Sequence, residues 1–276
     1  TPTSPRTRYP TDTTDGEWAR VGHLFPEPVW APNLQEPKHT AREMFDAMRY
    51  RTRTGCAWRS LPHDFPPWCT VARRYYTWRN NGVFDRAHDA LRESVRQQEG
   101  RASEPTAAIV DSQSVKSTDV GGPGGFDAGK KVKGRKRHLL VDVLGLILVV
   151  LVTPASVQDR DGAAPVLREA HRGYPTLKRV WADSAYRGEV IDRVQGDTGI
   201  NVEVVKRTDA MSGFVVLPRR CVVERTNGWL CKFRLLNKEY ERTVESSRAD
   251  ILLAMTSVML RRLGGAPRTR EARGTL

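Results

Sequence analysis

Three carboxylates stand out by their surroundings: Asp111 in IVDSQS, Asp183 in WADSAYR and Glu224 in RRCVVER. The first two share one setting, an apolar run followed by Asp-Ser, and the third is flanked by Arg219, Arg220 and Arg225. An ionised carboxylate beside buried apolar residues is costly unless a cation compensates it. Acids brought together also repel one another. A divalent metal reverses that cost, because Mg2+ takes oxygen ligands and tolerates a carboxylate cluster with water. Two such ions about 4 Å apart can clamp the attacking and leaving oxygens of a phosphodiester. These residue types could therefore support metal-assisted phosphodiester cleavage, with the arginines as phosphate ligands. Taken singly, each acid reads as an ordinary strand-end residue in a salt bridge; the shared setting of Asp111 and Asp183 and the arginines around Glu224 together shift that reading. Two further acids carry simpler readings, Asp142 as a hairpin residue and Asp159 as a helix cap. Ser112, Ser114 and Ser184 read as strand-end hydrogen-bonders rather than nucleophiles. His138 is given no catalytic role, and Trp181 and Trp229 read as core.

The elements that must position the acids follow from periodicity. AAIVDSQSVKS, KRHLLVDVLG and LILVVLVTP are β-rich runs separated by GGPGG and Gly145. QDRDGAAPVLREAHRG reads as a helix, LKRVWADSAY as a fourth strand, RGEVIDRVQGDTG as a short helix and INVEVVKR as a fifth strand. LPRRCVVERTNGWLCKFRLLNKEY and SRADILLAMTSVMLRRL read as closing helices. Asp111 then lies in or at the end of the first strand, Asp183 ends the fourth, and Glu224 sits on the helix after the fifth. Three antiparallel strands followed by alternating helices and strands form a layered α/β plan.

Upstream the texture is helical. HTAREMFDAMRYRTRTG predicts a helix with a Thr40–Glu43 capping box, closed by Gly55. TVARRYYTWRNNGVF and DRAHDALRESVRQQEG predict two more, an outline of a small DNA-reading module. Residues 42–79 hold eight arginines and three acids, which makes Arg73, Arg74 and Arg79 candidates for phosphate and base-edge contacts. KKVKGRKR places Lys130, Lys131, Lys133, Arg135, Lys136 and Arg137 between a glycine-rich turn and the second strand, where a DNA-clamping edge is expected.

The totals agree. A net charge of +13 and a pI of about 10.0 suit a polyanionic partner, nucleic acid first and an anionic membrane surface second. No apolar run reaches the length of a bilayer span. The four cysteines form no CxxC pair and read as free thiols of a reducing cytoplasm. The expected organisation is a disordered tail at 1–16, a helical DNA-binding domain at 17–100, a linker at 101–106, a catalytic domain at 107–264 and a disordered tail at 265–276.

In this order IVDSQSVKS, GKKVKGRKRHLLVDVLG, VWADSAYRG and VVERTNGWLCKFRLL resemble the DDE transposases of bacterial insertion sequences, the insertion sequence 5 family in particular. YRTRTGCAWRSLPHDFPPWCTVARRYYTWRNNGVF resembles the helical region that precedes the catalytic domain in that family. The resemblance covers roughly Trp18 to Leu263. It implies an RNase H-like mixed five-stranded sheet with flanking helices, preceded by a small helix-turn-helix-like domain. It implies cutting of double-stranded DNA at element ends and joining to a target, with two Mg2+ ions (Mn2+ can substitute) held by Asp111, Asp183 and Glu224. A homodimer on DNA and a place at the bacterial nucleoid in the cytoplasm go with it. Against the pattern Tyr-x2-Arg-x3-Glu-x6-Lys, Arg220 matches the Arg, Leu217 stands at the Tyr and Cys231 at the Lys, with Lys232 one residue on. Arg220 and Lys232 are the phosphate ligands this leaves. A metal-dependent nuclease or resolvase on the same core, and a DNA-binding protein with a dead catalytic domain, remain alternatives.

Overall fold

The computed structural model describes residues 6–27, 38–119, 122–205 and 220–264. Leu217, Arg219 and the expected C-terminal tail at 265–276 lie outside the described residues, as do residues 1–5 of the expected N-terminal tail.

Four helices come first: α1 (Asp15–Val21), α2 (Ala41–Thr54), α3 (Trp68–Asn80) and α4 (Val83–Gln98). Local signals set their ends. Thr40 and Glu43 form the reciprocal capping box, and Gly55 closes α2 in the left-handed region at φ 75°. Gly82, at φ 66°, makes the turn between α3 and α4, which places Phe84 in α4 rather than at the end of α3. The segment expected as an N-terminal tail is ordered where it is described. Tyr9 stacks on Phe65 at 5.1 Å, Thr13 donates its N–H to Asp46 at 2.7 Å, and Thr14 caps α1 in a second capping box.

The sheet contains β1 (Ala107–Lys116), β2 (Gly125–Asp127), β3 (Val132–Asp142), β4 (Ile147–Pro154), β5 (Arg179–Ala182) and β6 (Asn201–Val204). Its order is β2-β3-β1-β5-β6, with β4 also paired to β3. β2 and β4 occupy the same edge of β3 end to end, pairing with its residues 132–134 and 135–141. β1 runs antiparallel to β3 and parallel to β5, and β5 parallel to β6. This is the RNase H-like plan, three antiparallel strands feeding two parallel ones. It carries one strand more than expected, because β2 is three residues long and lies where the sequence reads as a turn.

Helices cover both faces. α5 (Asp159–Gly173) and α6 (Glu189–Thr198) pack on one, around Val110, Leu140, Leu167 and Val180. On the other, α7 (Arg220–Leu230) and α8 (Val244–Gly264) meet Ile109, Leu139 and Val141. The N-terminal helices join that second core, with α2 and α4 lying on α8. The change of texture at 101–106 thus marks no gap in packing. The helix expected to run on to Tyr240 ends at Leu230. The chain then turns so that Phe233, Leu235 and Leu236 enter the core.

Candidate active site and nucleic-acid interface

The register of the parallel pair fixes the heart of the site. Ile109 of β1 is paired with Trp181 of β5. Two residues further on in sequence, Asp111 lies within β1 and Asp183 immediately follows the end of β5 at Ala182. Side chains alternate across a strand, so Asp111 takes the face of Ile109, the face on which Trp181 packs. α7 lies on that same face, held by buried Val223, by the Thr226 hydroxyl on the Gly145 carbonyl at 2.8 Å, and by Arg225 on the Leu144 carbonyl at 3.1 Å. Glu224 rides on this helix and is exposed, while Asp111 and Asp183 are half-buried. Just past the end of α7, the Cys231 thiol stands 4.0 Å from Gln113 Nε2, two residues beyond Asp111 on the same strand face.

Asp111, Asp183 and Glu224 thus stand on β1, just after β5 and on α7, without forming a closed ligand cage. Among the described residues, no group of three or more His, Cys, Asp or Glu side chains could hold a metal ion as it stands. The three acids offer carboxylate oxygens, the type a hard divalent cation takes.

Asp183 also builds the turn that follows it. Its Oδ1 accepts the Ala185 N–H at 2.8 Å and its carbonyl accepts the Tyr186 N–H at 3.2 Å. That turn buries Tyr186 to 1% exposure. Burial raises the phenol's pKa, the charges of Asp111, Asp159 and Asp183 raise it further, and a hydrogen bond with Ser112 opposes them. Sequence reasoning passed over Tyr186, although the motif that marks Asp183 contains it.

The basic run 130–137 is split by the sheet. Lys131 and Lys133 are exposed, and exposed Lys130 reaches the Ser112 carbonyl and hydroxyl at 3.3 Å each. The other three are buried, and this corrects the expectation of one clamping edge. Arg135 and Arg137, on the α8 side, flank Glu239 at 3.5 and 3.7 Å. They also donate to carbonyls, Arg135 to that of Pro123 and Arg137 to that of Leu236. Lys136, on the other side, pairs with Asp159 at 2.8 Å and Asp127 at 3.3 Å. The physical reason is that from Gly134 onward β3 is paired along both edges and helices cover both faces, so a cation there is buried whichever face it takes, whereas Lys133 precedes that part. Burial opposes ionisation of Asp127, but the Ser114 hydroxyl, the Lys130 N–H and Lys136 prevail and lower its pKa to about 2.

Asp159 starts α5, as expected, but its carboxylate serves Lys136 and the preceding Gln158 is the cap residue. Asp142 is the expected hairpin residue: it accepts from Leu144 N and Leu146 N at 2.9 Å each and pairs with buried Arg96. His138 is fully buried, with Nε2 3.0 Å from the Thr153 hydroxyl. Trp229 is partly buried beneath Arg225 and Arg262, and Trp181 donates to Glu203 at 3.0 Å.

On α3 the predicted contacts diverge. Arg73 is exposed, Arg74 lies over buried Trp78, and Arg79 donates to Ser246 of α8 at 2.6 Å while stacking on exposed Tyr76. Lys232 is exposed. Arg220 is the first residue of α7. No helix among the described residues is long and apolar enough to cross a membrane.

Comparison with known proteins adds the following. The family described as "Transposase DDE domain" matches residues 102–259, more than half of the chain, and that described as "Putative transposase of IS4/5 family" matches residues 13–88. A Burkholderia cepacia protein named "Putative transposase for insertion sequence element IS402" is 36% identical over 126 residues, covering 43% of this chain and 56% of that protein. "Uncharacterized protein y4sN" of Sinorhizobium fredii is 32% identical over 71 residues, covering 26% and 55%. The chain thus spans little more than half the length of these curated relatives. Among solved structures, the catalytic core domain of BIV integrase overlaps 62% of this chain and 87% of its own at TM-score 0.35 and 15% identity. The catalytic domain of Mos1 mariner transposase overlaps 66% and 90% at TM-score 0.33 and 9% identity.

Proposed function

This chain belongs to the transposase DDE-domain family, and on that premise we propose that it cuts double-stranded DNA at the ends of an insertion element and joins the freed ends to a target. The observation that supports the reading is the Ile109–Trp181 register of β1 and β5: Asp111 follows within β1 and Asp183 comes just past the end of β5, with the helix that bears Glu224 packed on the sheet. We assign the three carboxylates as ligands of two Mg2+ ions, for which Mn2+ can substitute. When bound, such ions supply charge stabilisation to the attacking and leaving oxygens of a phosphodiester. Both aspartates are half-buried, and their carboxylate oxygens are the donors a hard divalent cation takes.

The chain's own residues do the rest. Lys130, which reaches Ser112 next to Asp111 in β1, and exposed Lys131 and Lys133 hold the DNA backbone near the acids. Lys232 and Arg220, at the two ends of the Glu224 helix, take further phosphates. Arg73 and the exposed side of α3 read the element end. In this division residues 17–100 recognise DNA and residues 107–264 cut and join, acting as a homodimer on DNA in the bacterial cytoplasm, at the nucleoid.

The test is incubation of the protein with a labelled element-end duplex in Mg2+ and in EDTA. Metal-dependent nicks at the element boundary, with some ends joined to a target plasmid, are expected. Asp183→Asn should reduce cutting by at least about 100-fold while leaving duplex binding intact, the scale on which removing one preorganised charge-stabilising group acts. Unchanged cutting by that variant sinks the assignment. Cutting without transfer from a precleaved end would make the protein a nuclease on the same core.

A further inference from the structure

The hairpin that β2 makes with the start of β3 carries the most exposed large apolar side chain among the described residues. Phe126 is 55% exposed, against 37–40% for Trp68, Tyr76, Val190 and Tyr240. Its near neighbours in the chain are Gly124, Gly125, Ala128 and Gly129, while Asp127 turns inward and is buried. The ring is therefore open to a planar partner. Directly opposite it on β3 stands Lys133. Opposed residues of an antiparallel pair lie on one face, so phenyl and ammonium are presented together, both exposed. Exposed Lys130 and Lys131 follow in the turn. The hairpin is also fastened in place. At its base Arg135 Nε donates to the Pro123 carbonyl at 2.8 Å. At its tip Asp127 accepts the Ser114 hydroxyl at 2.6 Å and the Lys130 N–H at 3.0 Å, and lies 3.3 Å from Lys136. Ser114 belongs to β1, the strand of Asp111, so the ring is held in fixed relation to the acid-bearing strand.

We propose that Phe126 is a DNA contact, its ring stacking on a base at the element end while Lys131 and Lys133 take the phosphates beside it. This rests on the DNA-binding reading above and adds to it a contact that charge alone does not supply. A single exposed apolar side chain ordinarily needs no explanation. Here the only acid of the hairpin is buried and paired, and three lysines surround the ring. A nucleotide answers both features at once, with a phosphate for the ammonium groups and a flat π-face for the phenyl. Stacking of this kind tolerates any base, since every base has such a face. Because the hairpin is already fixed by Arg135 and Asp127, little freedom is lost when the base arrives.

The experiment compares the full chain with Phe126→Ala, Phe126→Leu and Phe126→Trp. Affinity for a labelled element-end duplex is measured by fluorescence anisotropy over a salt series, with the melting temperature and the sedimentation of the free protein beside it. The alanine variant should bind about 5–100-fold more weakly, the scale of one base stacked on an aromatic side chain. Its slope of log affinity against log salt should not change, because no ionic contact is lost. Tryptophan should restore the affinity and leucine should not, since leucine has no π-face. All three variants should melt within about 2 °C of the original, as exposed sites do. Equal affinity of the alanine variant and the original overturns the inference and leaves the transposase reading standing. Full recovery by leucine overturns it too, as does a dimer of the free protein that alanine converts to monomer, which would make the ring a protein contact. No duplex binding by the unsubstituted chain overturns both readings. Should the alanine variant fail to accumulate, the leucine and tryptophan variants carry the test, and equal affinity of those two overturns the inference.

Discussion

Arg137→Ala should destabilise the protein rather than weaken its hold on DNA, although its place in KKVKGRKR suggests the reverse. Arg137 is 2% exposed. Its guanidinium donates to the Leu236 carbonyl at 2.9 Å and lies 3.7 Å from Glu239. Glu239 is held between two arginines, with the Ser247 hydroxyl donating to it at 2.6 Å. Removing one partner of a buried ion pair costs about 3–5 kcal/mol. Arg135 remains to neutralise Glu239, so the lower end applies, about 3 kcal/mol. At roughly 2–4 °C per kcal/mol for a chain of this order of size, the melting temperature should fall by about 6–12 °C. The control is the triple replacement of Lys130, Lys131 and Lys133 by alanine. Exposed sites each change stability by about 0.5 kcal/mol or less, so its melting should move by less than about 6 °C. The slope of log affinity against log salt should shrink by up to about 2.7, at about 0.9 per phosphate contact. Calorimetry gives the first quantity, and fluorescence anisotropy on an end duplex over a salt series gives the second. An Arg137→Ala protein that melts within about 2 °C of the original, yet loses salt slope as the triple variant does, would refute the division of the run into buried and DNA-facing members.

Two further outcomes concern His138. Burial lowers its pKa to about 4, with Asp159 opposing and Lys136 and Lys130 adding to the shift. An unfolded histidine titrates near 6.5. Below that pH the unfolded chain takes up a proton that the folded chain refuses. The stabilisation is therefore complete above about pH 6.5 and is lost as pH falls towards 4, by up to about 3 kcal/mol. Asp250, buried against Arg51 and Tyr75, is pushed up to about 7 by burial and acts with the opposite sign in the same window. The readout is thus the difference in urea midpoint between the original chain and His138→Gln at pH 7 and at pH 5; parallel behaviour contradicts the argument. Gly162→Ala places a methyl 2.0 Å from the His138 ring and should cost about 1–3 kcal/mol by overpacking. A His138→Ala partner should recover part of that loss in a double-mutant cycle, and strict additivity of the two would show that the ring yields freely.

What could be read from the sequence was what local pattern decides. The Thr40–Glu43 box and Gly55 bound α2 because capping needs only residues within a few positions. The Asp-Ser ends of two apolar runs pointed to Asp111 and Asp183 because strand order brings such ends together in a parallel pair. One local signal was present and went unread: Thr14 and Glu17 have the same capping spacing as Thr40 and Glu43, and they start a helix inside what composition alone made a tail. Composition is a poor guide there because Thr13 and Tyr9 are ordered by Asp46 and Phe65, which lie far along the chain.

The basic run shows the physical limit most clearly. Eight residues with six cations read as one surface when counted, yet period-two alternation on a strand sends neighbours to opposite faces. On β3 neither face is open, since β1 pairs one edge, β2 and β4 share the other, and helices cover both sides. A cation on such a strand must find an acid or be excluded from the fold. Arg135 and Arg137 find Glu239, whose backbone N–H is fixed to the Lys116 carbonyl at 2.8 Å at the far end of β1. Lys136 finds Asp127 and Asp159 from a turn and a helix start. None of these partners is near the run in sequence except Asp127. The positive charge available for DNA is therefore decided by which lysines precede the double-paired part of the strand. It falls to Lys130, Lys131 and Lys133, which lie before Gly134, where a Cβ would stand 1.9 Å from the Val115 carbonyl oxygen and the strand is closed to anything but backbone.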